Sequence, residues 1–320
     1  MTPEAGGAAP GGRMLTFRDG GWVLVLAGLI TLALATWALA PAALRMSKRP
    51  PGDGIDPATF GFDLSTLTVP ANLIAAGMMH RDMVVTLDAP TILVIDDLAE
   101  EARGKYLVST DRVIGVTIGG ESRAYPLSVL NVHEIVHDTL GGIPIAVTYN
   151  WPSDCPAVFD RRVGGSTMTF GVSGLLLNSN LLMYDRGTPE GEESLWSQMN
   201  AVAVAGPAAG TPLTRVPSAL TCWSRWYAAH PDTTILGRDP SIVARRYKKS
   251  DPDAYFFAGD VRFNADPMPP EGGPATMERV IAVEAVGARR VYTMKHLMKR
   301  ADANGRVVGL VLDQNDLGPQ

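Results

Sequence analysis

The residues best typed and spaced for chemistry are His133, Glu134 and His137, which together read H-E-x-x-H. On a helix the two imidazoles fall at i and i+4 on one face and can hold a zinc ion. The glutamate between them then acts as a base toward metal-bound water. The spacing of apolar residues predicts a helix over Leu127–Leu140, so the pattern lies in a suitable element. Gly141-Gly142 stops that helix four residues after His137, which leaves no third ligand on the usual downstream stretch. His80, His230 and His296 offer no ligand spacing either. A zinc site on His133 and His137 with Glu134 as catalytic residue is therefore the alternative reading. The main one has no metal, no cofactor and no catalytic residue.

Other nucleophile and phosphate patterns fail on their order. Gly171-Val172-Ser173-Gly174-Leu175 lacks the last glycine of a G-x-S-x-G elbow. The turn around Gly206 and Gly210 carries no G-x-x-x-x-G-K-[ST], so no phosphate loop is expected. Cys155 and Cys222 are the two cysteines; they can pair in an oxidising compartment, or remain two separate thiols. Net charge is −5, and the basic residues cluster only at Arg245, Arg246, Lys248 and Lys249. That balance excludes a nucleic-acid-binding surface.

The elements that position these residues begin with an anchor. From Gly20 to Leu44 there is no charged residue. A transmembrane helix is expected over 20–45, and its uncharged run alone spans roughly 37 Å against a hydrocarbon core of about 30 Å. Every backbone polar group in a bilayer must be satisfied within the segment, which selects a helix. Trp22 and Trp37 sit toward its two ends, where indoles favour the interface. Ala38-Leu39-Ala40 resembles a signal-peptide cleavage site, but Pro41 would follow the cut and the apolar run is long. The flanking charges, Arg13 and Arg18 before and Arg45, Lys48 and Arg49 after, give no orientation.

Around this span the chain divides into a disordered tail over 1–19, a polar, proline-rich linker over 46–58 and a β-rich domain over 59–320. A short helix is expected over Pro70–Arg81 and a strand over Met83–Leu87. Arg112–Ile118 and Ser122–Pro126 flank Gly119-Gly120 as a hairpin. Ile143–Tyr149, Val158–Val163, Thr167–Val172 and Leu181–Asp185 read as strands, and Trp223–His230 as a short helix. Lys249–Pro274, rich in Asp, Pro and Gly, is a long surface loop or a partner-binding arm. The fold class is mainly β with short helices (α+β), with one transmembrane helix.

An internal echo runs through this series. Asp111–Leu130 aligns without gaps on Glu278–Leu297, with eight of twenty positions identical. The pattern, strand, turn, strand and helix, predicts two related β-units, the second over 278–297.

Four runs carry a family resemblance: AYPLSVLNVHEIVHDTLGG, TFGVSGLLLNSNLLMYDR, SLWSQM and TCWSRWYAAHPDT. In that order they resemble a bacterial family known as domain of unknown function 3179, over about 111–236. The resemblance implies an exported or membrane-attached protein and brings no reaction with it. It places this domain on the extracytoplasmic (periplasmic) side of the cytoplasmic membrane. Where many relatives carry Thr-Tyr-Cys-Pro-x-Cys, this chain has Thr148-Tyr149-Asn150-Trp151-Pro152-Ser153, so the soft pair of thiols is replaced by an amide and a hydroxyl. Relatives usually have asparagine at the position of His137, which sets that histidine outside any shared site.

The polar and aromatic residues of the family-like runs are His133, Glu134, Tyr149, Asp160, Arg161, Asn178, Asn180, Tyr184, Asp185 and Trp196. They either line one pocket or form a buried hydrogen-bond network that holds the turns. Trp151, Trp196, Trp223 and Trp226 are core by spacing, with one or two available as interface anchors. Together these features predict a non-catalytic accessory subunit, held in the bilayer by 20–45 and docked on a larger membrane complex of the respiratory or photosynthetic electron-transfer kind. A zinc-dependent hydrolase and a small-molecule or metal-binding domain are the alternatives.

Overall fold

The computed structural model describes residues 21–46, 50–96, 106–243, 247, 255–256, 259, 261–263, 265–285 and 288–299. The tail expected over 1–19 and much of the arm over Lys249–Pro274 lie outside them. The chain divides into two compact units, Met1–Pro50 and Pro51–Gln320.

In the first unit, α1 (Gly21–Met46) is a 26-residue helix. The Thr31 and Thr36 hydroxyls donate to the carbonyls of Ala27 and Leu32 one turn back, so both are satisfied within the helix. Its large apolar side chains are exposed, from Trp22 to Leu32 and Trp37, the last at 78%. Side chains of α1 are described only as far as Trp37. Among the described residues no helix is long and apolar enough to cross a membrane.

In the second unit the chain enters through short 3-10 turns. Asp56 caps Pro57–Phe60, and Asp63 caps Leu64–Thr66, each carboxylate accepting a backbone N–H two residues on. The helix expected over Pro70–Arg81 is absent. One 3-10 turn, Ala71–Leu73, leads into β1 (Ile74–Ala76). The next strands, β2 (Leu87–Asp88) and β3 (Ile92–Leu93), are two residues each, so the strand expected over Met83–Leu87 shrinks to its end.

The regular series follows. β4 (Arg112–Ile118) and β5 (Glu121–Pro126) form the predicted hairpin, then come α2 (Leu127–His133), β6 (Ile135–Leu140) and β7 (Ile143–Asn150). β8 (Cys155–Asp160), β9 (Arg162–Val163), β10 (Ser166–Thr167), β11 (Phe170–Leu177) and β12 (Asn180–Asp185) continue it. After β13 (Leu195–Ser197), β14 (Val202–Ala205) and β15 (Ser218–Cys222) come α3 (Trp223–Ala229) and β16 (Thr234–Leu236). The last elements are β17 (Val280–Ala285), β18 (Ala288–Thr293) and α4 (Met294–Lys299).

Three sheets stack into layers. A central four-stranded sheet, β2-β6-β7-β8, lies between two five-stranded ones, β1-β11-β12-β13-β14 and β15-β4-β5-β16-β3. Strand alternation explains the stacking, because successive side chains point to opposite faces. Ile145, Val147 and Tyr149 of β7 join Ile114, Val116 and Tyr125 in one core. Ala146 joins Ile135, Phe159, Phe170, Leu181, Met183 and Trp196 in the other. A sheet covered on both faces needs apolar residues at nearly every position, which is why β7, β11 and β12 read as continuous hydrophobic runs. Phe60, Phe62 and the 3-10 segment cover the far face of one outer sheet, and Trp226 of α3 the far face of the other.

The echo recurs in the pairing register. Ile114 faces Tyr125 in the first hairpin and Ile281 faces Tyr292 in the second, the same aligned positions, and a helix follows each. The second hairpin forms its own two-stranded sheet.

One correction bears directly on the site. The helix expected over Leu127–Leu140 ends at His133. Glu134 takes φ 56° and ψ −35°, its N–H closing the last turn onto Leu130 O, and the chain leaves as β6. Ile135, Val136 and Leu140 suit a strand as well as a helix by spacing. The β-branched pair and the partner strand β7 decide for the sheet.

Candidate functional site

Glu134 stands at this helix-to-strand junction, 2% exposed, with Oε2 buried and without a hydrogen-bond partner. Its carbonyl accepts the Tyr149 N–H at 2.9 Å, which joins the junction to β7. Burial alone pushes the carboxyl up to about 8, since no charged neighbour contributes. The side chain lines a cavity of about 20 Å³ together with Asn150, Trp151, Met78, Leu176 and Phe263. Such a volume admits one water or one small polar head.

Beside the cavity runs a satisfied chain of amides and hydroxyls. Ser153 Oγ donates to Asn150 Oδ1 at 2.6 Å, and Asn180 Nδ2 donates to Ser153 Oγ and to Gln198 Oε1. Gln198 in turn donates to Thr148 Oγ1 and to the Cys155 carbonyl. Asn150 and Ser153, the two positions where relatives carry cysteines, thus meet each other directly. They are held by the β7–β8 turn, with Asn150 opposite Cys155 in register.

The helical i, i+4 geometry on which the zinc alternative rests is not formed, because the helix ends at His133 and His137 lies on β6. With Glu134 at positive φ and His137 on a strand, the two imidazoles are no longer one turn apart on a helix face. His133 Nδ1 meets the Val85 carbonyl at 2.8 Å and Nε2 the Tyr247 hydroxyl at 3.1 Å. In His137, Nδ1 contacts Asp88 Oδ1 at 2.6 Å and Nε2 accepts the Phe170 N–H at 3.0 Å, so no lone pair is left for a metal. Asp88 is held down to about 2, first by His137 and then by Arg186. Burial lowers His137. Among the described residues no group of three or more His, Cys, Asp or Glu side chains is placed to hold a metal ion.

The other expected pocket residues lie apart. The Tyr149 hydroxyl donates to Asp154, which also pairs with Arg112 and Arg279. Asp160 pairs with Arg162, and Arg161 donates to the Met168 carbonyl. Asn178 exchanges two hydrogen bonds with the backbone of Asp266. The Tyr184 hydroxyl donates to Asp82, and Arg81 stacks on its ring. Asp185 accepts the Ser194 N–H, and burial raises its carboxyl. Trp196 is buried edge-on against Phe170, its Nε1 without a partner. Of the ten, Glu134 alone lines the cavity, and Asn180 is linked to it through Ser153 and Asn150. The rest of the set is dispersed over separate hydrogen-bonded pairs and does not meet in one pocket. Cys155 and Cys222 are free thiols in this structure.

The sequence reading missed Thr148, Asn150, Ser153 and Gln198 as network members, Phe263 at the cavity and the buried pair Arg81–Glu193. The one signal available was the Asn150…Ser153 replacement. Nothing in spacing links residues as distant as 81 and 193.

A family model described as "Protein of unknown function (DUF3179)" matches residues 86–316. The match extends beyond both ends of the resembling runs and includes the second hairpin. No curated protein and no solved structure matches the chain.

Proposed function

The chain belongs to that family of proteins of unknown function, and from this premise we propose that it is a membrane-anchored accessory subunit, docked through its β-rich domain on the extracytoplasmic side of a larger membrane complex. The observation that supports the reading is the charge-free run from Gly20 to Leu44, carried by the single helix α1 with its described apolar side chains in the open, although among the described residues no helix is long and apolar enough to cross a membrane. In water such a surface is costly, about 25 cal/mol for each Å² of apolar area, and in a bilayer the cost vanishes. The family match begins at residue 86, so it neither includes α1 nor speaks for or against it.

The accessory role, rather than catalysis, is supported by how the polar residues are used. The two histidines, the Asn150–Ser153–Asn180–Gln198 chain and the Asp154 cluster spend their hydrogen bonds on holding strands and turns together. The host envisaged is an electron-transfer assembly, as proposed from the sequence.

Purification of the full-length protein from native membranes in mild detergent tests this. The expected result is resistance to a carbonate wash and elution with other subunits in a stoichiometric complex. Elution alone as a monomer overturns the docking, and release by carbonate overturns the anchor.

A further inference from the structure

We infer that the crevice between Trp151 and Phe263 is a binding site for a small organic cation, whose ammonium head is received by the Glu134 carboxylate. Glu134 Oε2 is a buried oxygen with no donor, where nearly all such atoms in folded proteins have one. Among the described residues no arginine, lysine or histidine lines the cavity, and Glu134 is its single titratable side chain. The other polar side chain, Asn150, already has Oδ1 occupied by the Ser153 N–H and hydroxyl. An anion is thus excluded by charge, and a multidentate metal ion by the shortage of oxygens.

Size and wall chemistry select among what remains. A cavity of about 20 Å³ takes a head of ammonium size, a methyl substituent staying at the mouth, and its walls, Met78, Trp151, Leu176 and Phe263 among them, are apolar and aromatic. Aromatic faces attract cations that have been stripped of water. The backbone at Glu134 supports a functional reading, since φ 56° in a residue with a side chain costs energy that a plain helix-to-strand turn does not require. The segment bearing Phe263 is fastened away from the crevice, its carbonyl accepting from Ser179 Oγ at 3.1 Å, so the mouth has a defined wall.

Binding is proton-linked. The free carboxyl is protonated at neutral pH, so a cation enters by forming an ion pair with the carboxylate as the acid proton leaves to the buffer. This inference is independent of the membrane anchor.

Calorimetric titration of the full-length protein with methylammonium chloride, in buffers of different ionisation enthalpy, tests it. One equivalent is expected to bind, with about one proton released per site near neutral pH. The apparent affinity should rise about tenfold per pH unit up to about 8 and then level off. Glu134→Gln is expected to abolish binding. Phe263→Ala, on a loop, is expected to weaken it severalfold while the thermal transition stays in place. No binding heat, a pH-independent affinity, retention by Glu134→Gln or equal uptake of neutral methanol would each overturn the site. Should Glu134→Gln not fold, the pH profile and proton count of the unaltered protein decide alone.

Discussion

The backbone N–H of Phe170 donates to Nε2 of His137 at 3.0 Å, and Nδ1 of the same ring meets the Asp88 carboxylate at 2.6 Å. One imidazole thereby ties β11 of an outer sheet to β6 and β2 of the central one. The bond from Phe170 fixes the neutral tautomer with its proton on Nδ1. Replacing His137 by Ala strands a buried N–H, and the expected loss is about 2–3 kcal/mol. Urea denaturation of the two proteins measures it, and zinc content should be the same in both.

The same pair sets an acid limb. Both folded values lie below the ordinary ones, so both groups contribute stability at higher pH that is lost on acidification. His137 loses its part as pH falls below its ordinary 6.5, Asp88 its part between 3.8 and about 2. Urea midpoints across this range should fall with pH, and His137→Gln should remove the upper portion of the slope.

Glu134 acts in the opposite direction. Its folded value is raised, so the protonated acid is the form the fold prefers, and stability declines as pH rises from 4.5 to about 8. A shift of that size corresponds to something on the order of 5 kcal/mol. Glu134→Gln, the same shape without the charge, is expected to flatten this alkaline limb and to be the more stable protein above pH about 8. An unchanged limb in thermal melts across that range would count against a buried, unpaired carboxyl.

Arg81 and Glu193 form a buried ion pair, with side chains 11% and 2% exposed, and Arg81 also stacks on Phe62 and Tyr184. Truncating Arg81 to Ala leaves the Glu193 charge uncompensated and should cost about 3–5 kcal/mol. The double variant Arg81→Met with Glu193→Gln should recover much of this, because no buried charge is left alone. A double-mutant cycle in urea separates the two outcomes.

Gly115 in β4 lies under Trp226, and a Cβ there would stand 2.2 Å from the indole ring. Gly115→Ala must therefore push α3 off the outer sheet, with an expected cost of about 1–3 kcal/mol or more. A red shift of tryptophan emission alongside a lowered melting temperature is the signature. Gly120→Ala has open space at its Cβ and a φ of +86°, so it serves as a control with backbone strain alone.

Much of the architecture follows from local pattern. Gly119-Gly120 between two alternating runs sufficed to place the β4–β5 hairpin. The gapless alignment of Asp111–Leu130 on Glu278–Leu297 foreshadowed a second hairpin that repeats the first in register. The uncharged stretch from Gly20 likewise specified a helix. Each of these elements is built within one contiguous stretch of chain, where steric preference and hydrogen-bond geometry act directly.

What the sequence could not decide turned on distant partners. The run from Ile135 to Leu140 fits helix or strand by spacing, and β7 pairs with it and settles the choice. That one change separates His133 from His137, removes the zinc geometry and drives Glu134 inward. Burial, not the motif, gives that carboxyl its character, and burial is a property of three sheets stacked together. Residue types and the elements marked by turn glycines, by the repeat or by the uncharged run were thus determined by the sequence alone. The environment that gives each side chain its charge, its partners and its chemistry came only with the tertiary fold, because desolvation and hydrogen-bond satisfaction depend on atoms far apart along the chain.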